Sequence, residues 1–218
     1  MNFLAHLLLG GQDQSQIIGS LLADFTRVPT KKLHDRFGSE IAESIFLHRK
    51  IDCFTDSHPE TSAACHLLFP TYRHYSRVII DIAFDHYLSV NWNRYADIKL
   101  DTFIDNVYYI LSSLPSIVPE NFSYFANRMV QNDILRCYSD FENLKSILIR
   151  VESYAKYGKG ISDAWKELKI YYDEIEASFL KFFPSLLQYI SREGSSEKHN
   201  FFPLHPHFFS GDINDQKM

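Results

Sequence analysis

The sequence predicts an all-α protein. Its apolar residues recur at spacings of three and four, which is the pattern of amphipathic helices, and not in the strict alternation of half-buried strands. The dipeptides Asn-Gly and Asp-Gly, which mark tight β-hairpins, do not occur in the chain. With 218 residues, 45% hydrophobic content and only eight glycines and eight prolines, the chain is long enough for a substantial core and is not of the disordered type.

Nine helices account for the pattern. The first two are short and apolar, "NFLAHLLLG" and "IIGSLLADF", and prolines mark most of the later boundaries because proline has no N–H for a helix interior. Pro59 precedes the fourth helix, Pro70 ends it, and Pro119 begins the seventh. Pro184 falls inside the last helix and predicts a kink there. The predicted helices cover residues 2–10, 15–25, 38–56, 60–69, 72–94, 100–113, 119–136, 140–157 and 162–189.

These helices are expected to form one domain over residues 1–190, followed by a tail over 191–218. The tail opens with a polar run and then presents the aromatic cluster "FFPLHPHFF". No apolar run reaches the roughly 18 residues that a membrane helix needs, and the N-terminus lacks a positive region before its apolar residues. We therefore expect a soluble, cytoplasmic protein that does not bind membranes. A net charge of −5 argues against nucleic acid as a partner, and the oligomeric state stays open.

Two of the predicted helices carry acidic stripes within apolar surroundings. In "FLHRKIDCFTDSH" His48 and Asp52 are spaced i, i+4, so they project from one face of a helix. In "RVIIDIAFDHYLSVNW" Asp81 and Asp85 repeat this spacing, with His86 beside the second. An ionised carboxylate buried without a partner is very unfavourable, so such groups are normally paired, hydrogen-bonded or bound to a metal.

Two upstream residues extend this set of candidate ligands. His6 interrupts the first apolar helix, and Asp24 ends the second. Imidazole together with carboxylate suits a divalent ion such as Mn²⁺, Mg²⁺ or Fe²⁺. Simpler interpretations stay open at this point: His6 as a packing residue, Asp24 as a helix-end residue, and the pair His48 and Asp52 as an exposed polar stripe.

Several motifs in one order resemble a known family. The stretches "MNFLAHLLLG", "IIGSLLADF", "LHRKIDCFTDSHP" and "VIIDIAFDHYLSVNW" are similar to the motifs of the bacterial acyl carrier protein phosphodiesterases, and a weaker likeness continues to about residue 190. The resemblance implies a helical bundle of the HD-phosphohydrolase type. It also implies a divalent ion, typically manganese, and release of 4′-phosphopantetheine from a serine of holo-acyl carrier protein. The metal or catalytic residues that it implies are Asp24, His48, Asp52, Asp81 and Asp85, with His6 and His86 in addition.

The expected chemistry is attack of water on phosphorus. A carboxylate such as Asp24 or Asp52, or else His86, is expected to act as the base, and Arg27 or Arg77 to stabilise the charge at phosphorus. Two alternatives remain. One is a related phosphohydrolase that acts on a nucleotide or another small phosphoester, and the other is a non-enzymatic helical module that binds a structural ion.

The charge distribution is compatible with an acidic carrier protein as substrate. Residues 1–100 hold ten Lys or Arg and eleven Asp or Glu. Five of these acids are counted with the candidate site: Asp24, Asp52, Asp81, Asp85 and Asp56, which follows Asp52 at i+4 if the helix continues that far. The remaining surface of this half is therefore net basic. Basic side chains cluster in the loop 27–36, directly after Asp24, and between Arg73 and Arg77, ahead of Asp81. Both groups flank the candidate site in sequence, and a basic rim would steer an acidic partner.

Overall fold

The computed structural model describes residues 1–155 and 160–193. Over these ranges the chain forms twelve α-helices, with short 3₁₀ turns between some of them, and no β-strand. The all-α prediction is confirmed. The helices are α1 (Phe3–Gly10), α2 (Gln14–Leu22), α3 (Leu33–Phe37), α4 (Ser39–Ser57), α5 (Pro59–Tyr72), α6 (Tyr75–Val90), α7 (Leu100–Leu111), α8 (Glu120–Gln131), α9 (Ile134–Cys137), α10 (Leu144–Tyr154), α11 (Ala164–Ile170) and α12 (Tyr172–Glu193).

The predicted helices differ from the observed ones mainly where an observed helix is interrupted or ends. The predicted helix 119–136 is divided into α8 and α9 because Asp133 adopts the left-handed conformation, with φ of 49°, which a short polar side chain tolerates. The predicted end of a helix at Pro70 is wrong, since α5 continues to Tyr72. Pro70 is exposed and lies close to the end of α5, so its missing N–H removes a hydrogen bond only from the last turn.

The helices that carry the candidate site pack closely because one small residue lies between them. A Cβ atom added to Gly19 of α2 would lie 2.5 Å from the Cβ of Ser44 and 2.7 Å from the carbonyl oxygen of Ile41, both in α4. Helix α1 packs against α2, α4 and α6 and is buried from Leu4 to Gly10. This arrangement explains why the N-terminal motif "FLAHLLLG" is apolar around its whole circumference.

The long helix α12 closes the core from the other side. It packs against α4, α5 and α6, and its phenylalanines Phe179, Phe182 and Phe183 are fully buried. The helix continues through Pro184 to Glu193, past the predicted domain end at residue 190. The rest of the predicted tail, residues 194–218, lies outside the described residues. Among the described helices, none has both the length and the apolar composition that crossing a membrane requires.

Candidate metal centre

Three helix-borne side chains converge at one end of the contact between α1 and α4. One ligand atom from each of His6, His48 and Asp52 lies within 4.8 Å of the other two. The Nε2 atom of His6 lies 3.0 Å from Oδ1 of Asp52, and the Nε2 atom of His48 lies 3.1 Å from Oδ2. The predicted i, i+4 pair of α4 is therefore joined by the histidine of α1. Both histidines are buried, whereas the side chain of Asp52 is 44% exposed.

Asp24 completes the cluster from a third element. It lies in the 3₁₀ turn Ala23–Phe25, directly after α2, and its Oδ1 is 3.3 Å from Nε2 of His48. Its side chain is 49% exposed. The cluster thus consists of two buried imidazoles with two carboxylates on the solvent side. A substrate would reach it from that side.

The backbone of α2 fixes the orientation of His48. Nδ1 of His48 donates to the carbonyl oxygen of Ser20 over 2.7 Å, so Nε2 is the atom that faces the carboxylates. This contact exists because Gly19 lets α2 approach α4. Metal-binding histidines commonly have their second nitrogen bonded to a carbonyl or carboxylate in this way.

His6 is the residue that most favours a metal over a hydrogen-bonded network. Its side chain is only 3% exposed. Among residues 1–155 and 160–193, neither of its ring nitrogens has a hydrogen-bond partner of acceptable geometry, even though Asp52 lies close to Nε2. Its ring stacks on that of His48, with the centroids 3.7 Å apart and the planes 14° from parallel. A buried imidazole without partners is costly, and an ion held by His6, His48 and the adjacent carboxylates would remove that cost. The donor set therefore fits a divalent metal.

The surroundings of the cluster lower the pKa of His6 and raise the pKa of His48. Burial, with a smaller contribution from His48, lowers the pKa of His6 to about 4, so this ring is neutral and ready to act as a ligand. Burial alone would lower the pKa of His48 as well, but hydrogen bonds to Asp24 and Asp52 outweigh it and raise the pKa to about 9. Although burial opposes it, the adjacent imidazoles of His48 and His6 hold the pKa of Asp52 well below its usual range. Without metal, a proton therefore occupies the Nε2 position of His48 that a metal would take.

The structure does not bring Asp81 and Asp85 of α6 into this cluster. Instead, both carboxylates hold the start of the chain. Asp85 accepts hydrogen bonds from the backbone N–H groups of Leu4 (2.6 Å) and Ala5 (3.3 Å), in the first turn of α1. Asp81 lies 2.9 Å from the α-amino nitrogen of Met1. The two acids thus fix the helix that carries His6.

His86 is also separate from the cluster. Its Nδ1 donates to the carbonyl oxygen of Tyr138 over 2.7 Å, and its Nε2 is 2.9 Å from the hydroxyl of Tyr172. Because a carbonyl only accepts, Nδ1 carries the proton and Nε2 accepts from the tyrosine. Burial lowers the pKa of His86. Both ring nitrogens are therefore occupied by contacts between helices.

Both candidate arginines are exposed. Arg27 follows Asp24 by three residues and is exposed. Arg77 of α6 forms an ion pair with Asp56 of α4, and both side chains are more than half exposed. Arg49, which follows His48 in α4, donates to the loop ahead of α3 and holds it against the helix.

Sequence reasoning missed the contacts that orient the cluster. No spacing rule identifies the carbonyl of Ser20 as the partner of His48, although the adjacent small residue Gly19 was a signal of close helix packing. The partners of Asp81 and Asp85 are equally hidden, because one is an α-amino group and the others are backbone N–H groups.

Comparison with known proteins gives a consistent result. A family model described as acyl carrier protein phosphodiesterase matches residues 1–186. The chain is 30% identical over 192 residues to an acyl carrier protein phosphodiesterase of Klebsiella pneumoniae (strain 342), which covers 86% of this chain and 96% of the relative. It is 31% identical over 192 residues to the acyl carrier protein phosphodiesterase of Enterobacter sp. (strain 638), and the aligned region again covers 86% of this chain and 96% of the relative. No solved structure matches significantly, so the HD-type assignment stays a prediction.

Proposed function

The chain belongs to the acyl carrier protein phosphodiesterase family, whose named activity is that of a phosphoric diester hydrolase, and we propose that it hydrolyses the phosphodiester of holo-acyl carrier protein. The products would be 4′-phosphopantetheine and apo-acyl carrier protein. The single observation that carries the proposal is the buried His6, whose ring nitrogens make no hydrogen bond among the described residues. It lies beside His48 and the two half-exposed carboxylates Asp24 and Asp52.

We propose that this cluster holds a divalent ion. His6, His48, Asp52 and Asp24 offer mixed nitrogen and oxygen ligands, which suit Mn²⁺ first and also Mg²⁺ or Fe²⁺. A bound ion of this kind supplies Lewis-acid polarisation of a phosphoryl oxygen and lowers the pKa of water. Since Asp81 and Asp85 are engaged with the start of the chain, the proposal gives them no ligand role.

The side chains around the cluster would perform the remaining steps. Asp24 is half exposed and close to His48, so its carboxylate is placed to accept a proton from the attacking water. As water attacks phosphorus, the bond from phosphorus to the serine oxygen breaks, and that oxygen leaves and takes up a proton. Arg27 or Arg77 would neutralise the charge that develops on the phosphoryl oxygens. Arg77 would have to exchange its ion pair with Asp56 for this contact.

The basic segment 27–36, predicted as a loop but including most of α3, would receive the acidic carrier protein. Lys31, Lys32 and Arg36 are exposed there. Arg49 donates to Thr30 Oγ1 (3.1 Å) and to the carbonyl oxygen of Val28 (3.2 Å), which fixes the loop next to the helix that carries His48. Rim charges of this kind act mainly by steering association.

Intact-mass analysis of holo-acyl carrier protein tests the proposal. Incubation with purified protein and Mn²⁺ should convert the holo form to the apo form, and EDTA should stop the conversion. Asp52→Ala serves as the inactive control. Turnover of small phosphoesters without conversion of the carrier protein would indicate a related phosphohydrolase, and metal binding without any hydrolysis would indicate a non-enzymatic module. Either result would refute the proposed function.

A further inference from the structure

A second polar feature lies beside the metal centre, in a cleft between α5 and α6. The cleft has a volume of about 180 Å³. Its walls combine arginines, histidines, small hydroxyl and thiol side chains, and one phenyl ring. The lining residues that matter here are Thr61, Ser62, Cys65, Phe69, Arg73 and Arg77, with Asp56 of α4 at one end.

The cleft begins next to the candidate metal ligands. Asp56 follows Asp52 by four residues, a rise of about 6 Å along α4. Asp56 and its ion-pair partner Arg77 both line the cleft, so the cleft wall starts about one turn of α4 from Asp52. A substrate whose phosphorus lies at the cluster would have one substituent directed along this wall.

The wall contains an unsatisfied polar group. Thr61 is 4% exposed, and its hydroxyl has no hydrogen-bond partner among the described residues. A buried hydroxyl without a partner costs free energy, so it is retained where a ligand completes it or where a function demands it. Further along the wall, the Arg73 guanidinium lies 5.6 Å from the centroid of the Phe69 ring, and that ring is 42% exposed. The cleft thus offers both hydrogen bonds and apolar surface.

We propose that this cleft binds the pantetheine arm of the substrate, so that the arm and the carrier protein leave the metal centre in different directions. This inference rests on the proposed function. The phosphodiester has two substituents, a serine on a folded protein and a slender chain with amide groups, a hydroxyl and a geminal dimethyl group. A protein helix is about 10–12 Å across. It does not fit a cleft of about 180 Å³.

The remaining surface near the cluster suits the carrier protein instead. The basic segment 27–36 lies against α4, where Arg49, the residue after His48, donates to Thr30 and to the carbonyl oxygen of Val28. The slender chain would therefore take the concave side and the acidic protein the exposed side. In the cleft, the Thr61 hydroxyl would bond to an amide or hydroxyl of the arm, and Phe69 would contact the dimethyl group.

Blocking the cleft tests this assignment. Ser62→Trp places a large side chain into the cleft from an exposed position, and Ala63→Trp is the matched control, because Ala63 is the next exposed residue of α5 and does not line the cleft. Binding to the Mn²⁺-loaded protein is measured by calorimetry for pantetheine, inorganic phosphate and apo-acyl carrier protein. We expect Ser62→Trp to weaken pantetheine binding about tenfold or more, while Ala63→Trp leaves it unchanged.

Binding of phosphate and of apo-acyl carrier protein distinguishes the possible outcomes. Phosphate and apo-acyl carrier protein should bind to the Ser62→Trp variant as they do to the unmodified protein. Unchanged pantetheine binding would overturn the inference, and so would a loss of apo-acyl carrier protein binding, since the cleft would then receive the protein. The proposed function would be intact in both cases if holo-acyl carrier protein is still converted. If the unmodified protein converts none, the proposed function fails and this inference fails with it.

Thr61→Val gives a second test with little risk to folding. The valine has nearly the same shape, and it removes a hydroxyl that has no partner, so stability should stay the same or increase. The expected result is a weaker affinity for pantetheine, by about three- to tenfold. Ser89→Ala is the control, because Ser89 also carries a buried hydroxyl without a partner among the described residues but does not line the cleft. Equal pantetheine affinity in both variants would argue against a contact with Thr61.

Discussion

Replacing Gly19 by alanine should weaken metal binding from a distance. The new Cβ would lie 2.5 Å from the Cβ of Ser44 and 2.7 Å from the carbonyl oxygen of Ile41, and the latter belongs to the backbone of α4 and cannot rotate away. Helices α2 and α4 must therefore move apart, at a cost of about 1–3 kcal/mol in the free energy of unfolding. The movement also draws the carbonyl of Ser20 away from Nδ1 of His48, a bond of 2.7 Å in the native structure. Loss of such a supporting contact typically weakens metal affinity about 10- to 100-fold.

Gly38→Ala is the matched control for this prediction. Gly38 has φ of 80° and ψ of 168°, a region that is almost restricted to glycine, so alanine there should also cost about 1–3 kcal/mol. A Cβ at this position would meet no atom of the described part of the chain within 4 Å, so the substitution leaves the cluster untouched. Urea denaturation should show similar losses for both variants, whereas calorimetric titration with Mn²⁺ should show weakened binding only for Gly19→Ala. Equal Mn²⁺ affinities in the two variants would refute the role assigned to the close contact of α2 and α4.

Further predictions concern the ligands, the protonation state and the rim. Asp52→Ala should abolish Mn²⁺ binding and lower phosphodiesterase activity by orders of magnitude while the circular dichroism spectrum stays native, because the alanine removes the carboxylate between both histidines; near-normal turnover would remove Asp52 from the site. The pKa of His48 is raised to about 9, so its contacts with the carboxylates stabilise the metal-free protein. This stabilisation is complete below pH 6.5 and is lost as the pH rises through 9. The upper limit for this loss in the free energy of unfolding is about 3 kcal/mol, and solvent screening of the half-exposed carboxylates reduces it. Urea denaturation in EDTA measures the free energy of unfolding, and an unchanged value from pH 6.5 to 9 would contradict the prediction. Lys31→Glu combined with Lys32→Glu should raise KM for holo-acyl carrier protein several-fold with little change in kcat, and added salt should do the same to the unmodified enzyme; an unchanged KM at low salt would exclude loop 27–36 as the docking surface.

The fold class was predictable from local patterns, and so was the pairing of His48 with Asp52 in the candidate site. Helical periodicity identified the helices, and the i, i+4 spacing correctly placed His48 and Asp52 on one face. Breaks within helices were less predictable, because the left-handed Asp133 depends on a single backbone conformation that no periodicity encodes. The short helix α3 was missed for a similar reason, since five residues carry too little periodicity to register.

The same spacing rule gave a different result in α6. Asp81 and Asp85 have the spacing of a ligand pair and are close to the core, yet they bind an α-amino group and backbone N–H groups. Sequence shows side chains and not which backbone donors a fold brings near them, so it does not separate a buried carboxylate that caps a helix from one that binds a metal. His6 shows the converse, because a lone histidine in an apolar helix gave a weak signal and became the centre of the cluster.

Anomalous diffraction from a crystal grown with Mn²⁺ tests the metal centre most directly. We expect one anomalous peak within about 2.0–2.6 Å of Nε2 of His6, Nε2 of His48 and a carboxylate oxygen of Asp52, with Asp24 beside it. The contacts of Asp81 and Asp85 with the start of the chain should be unchanged in that crystal. A peak coordinated by Asp81 and Asp85, or no peak at His6 and His48 at saturating Mn²⁺, would contradict the account.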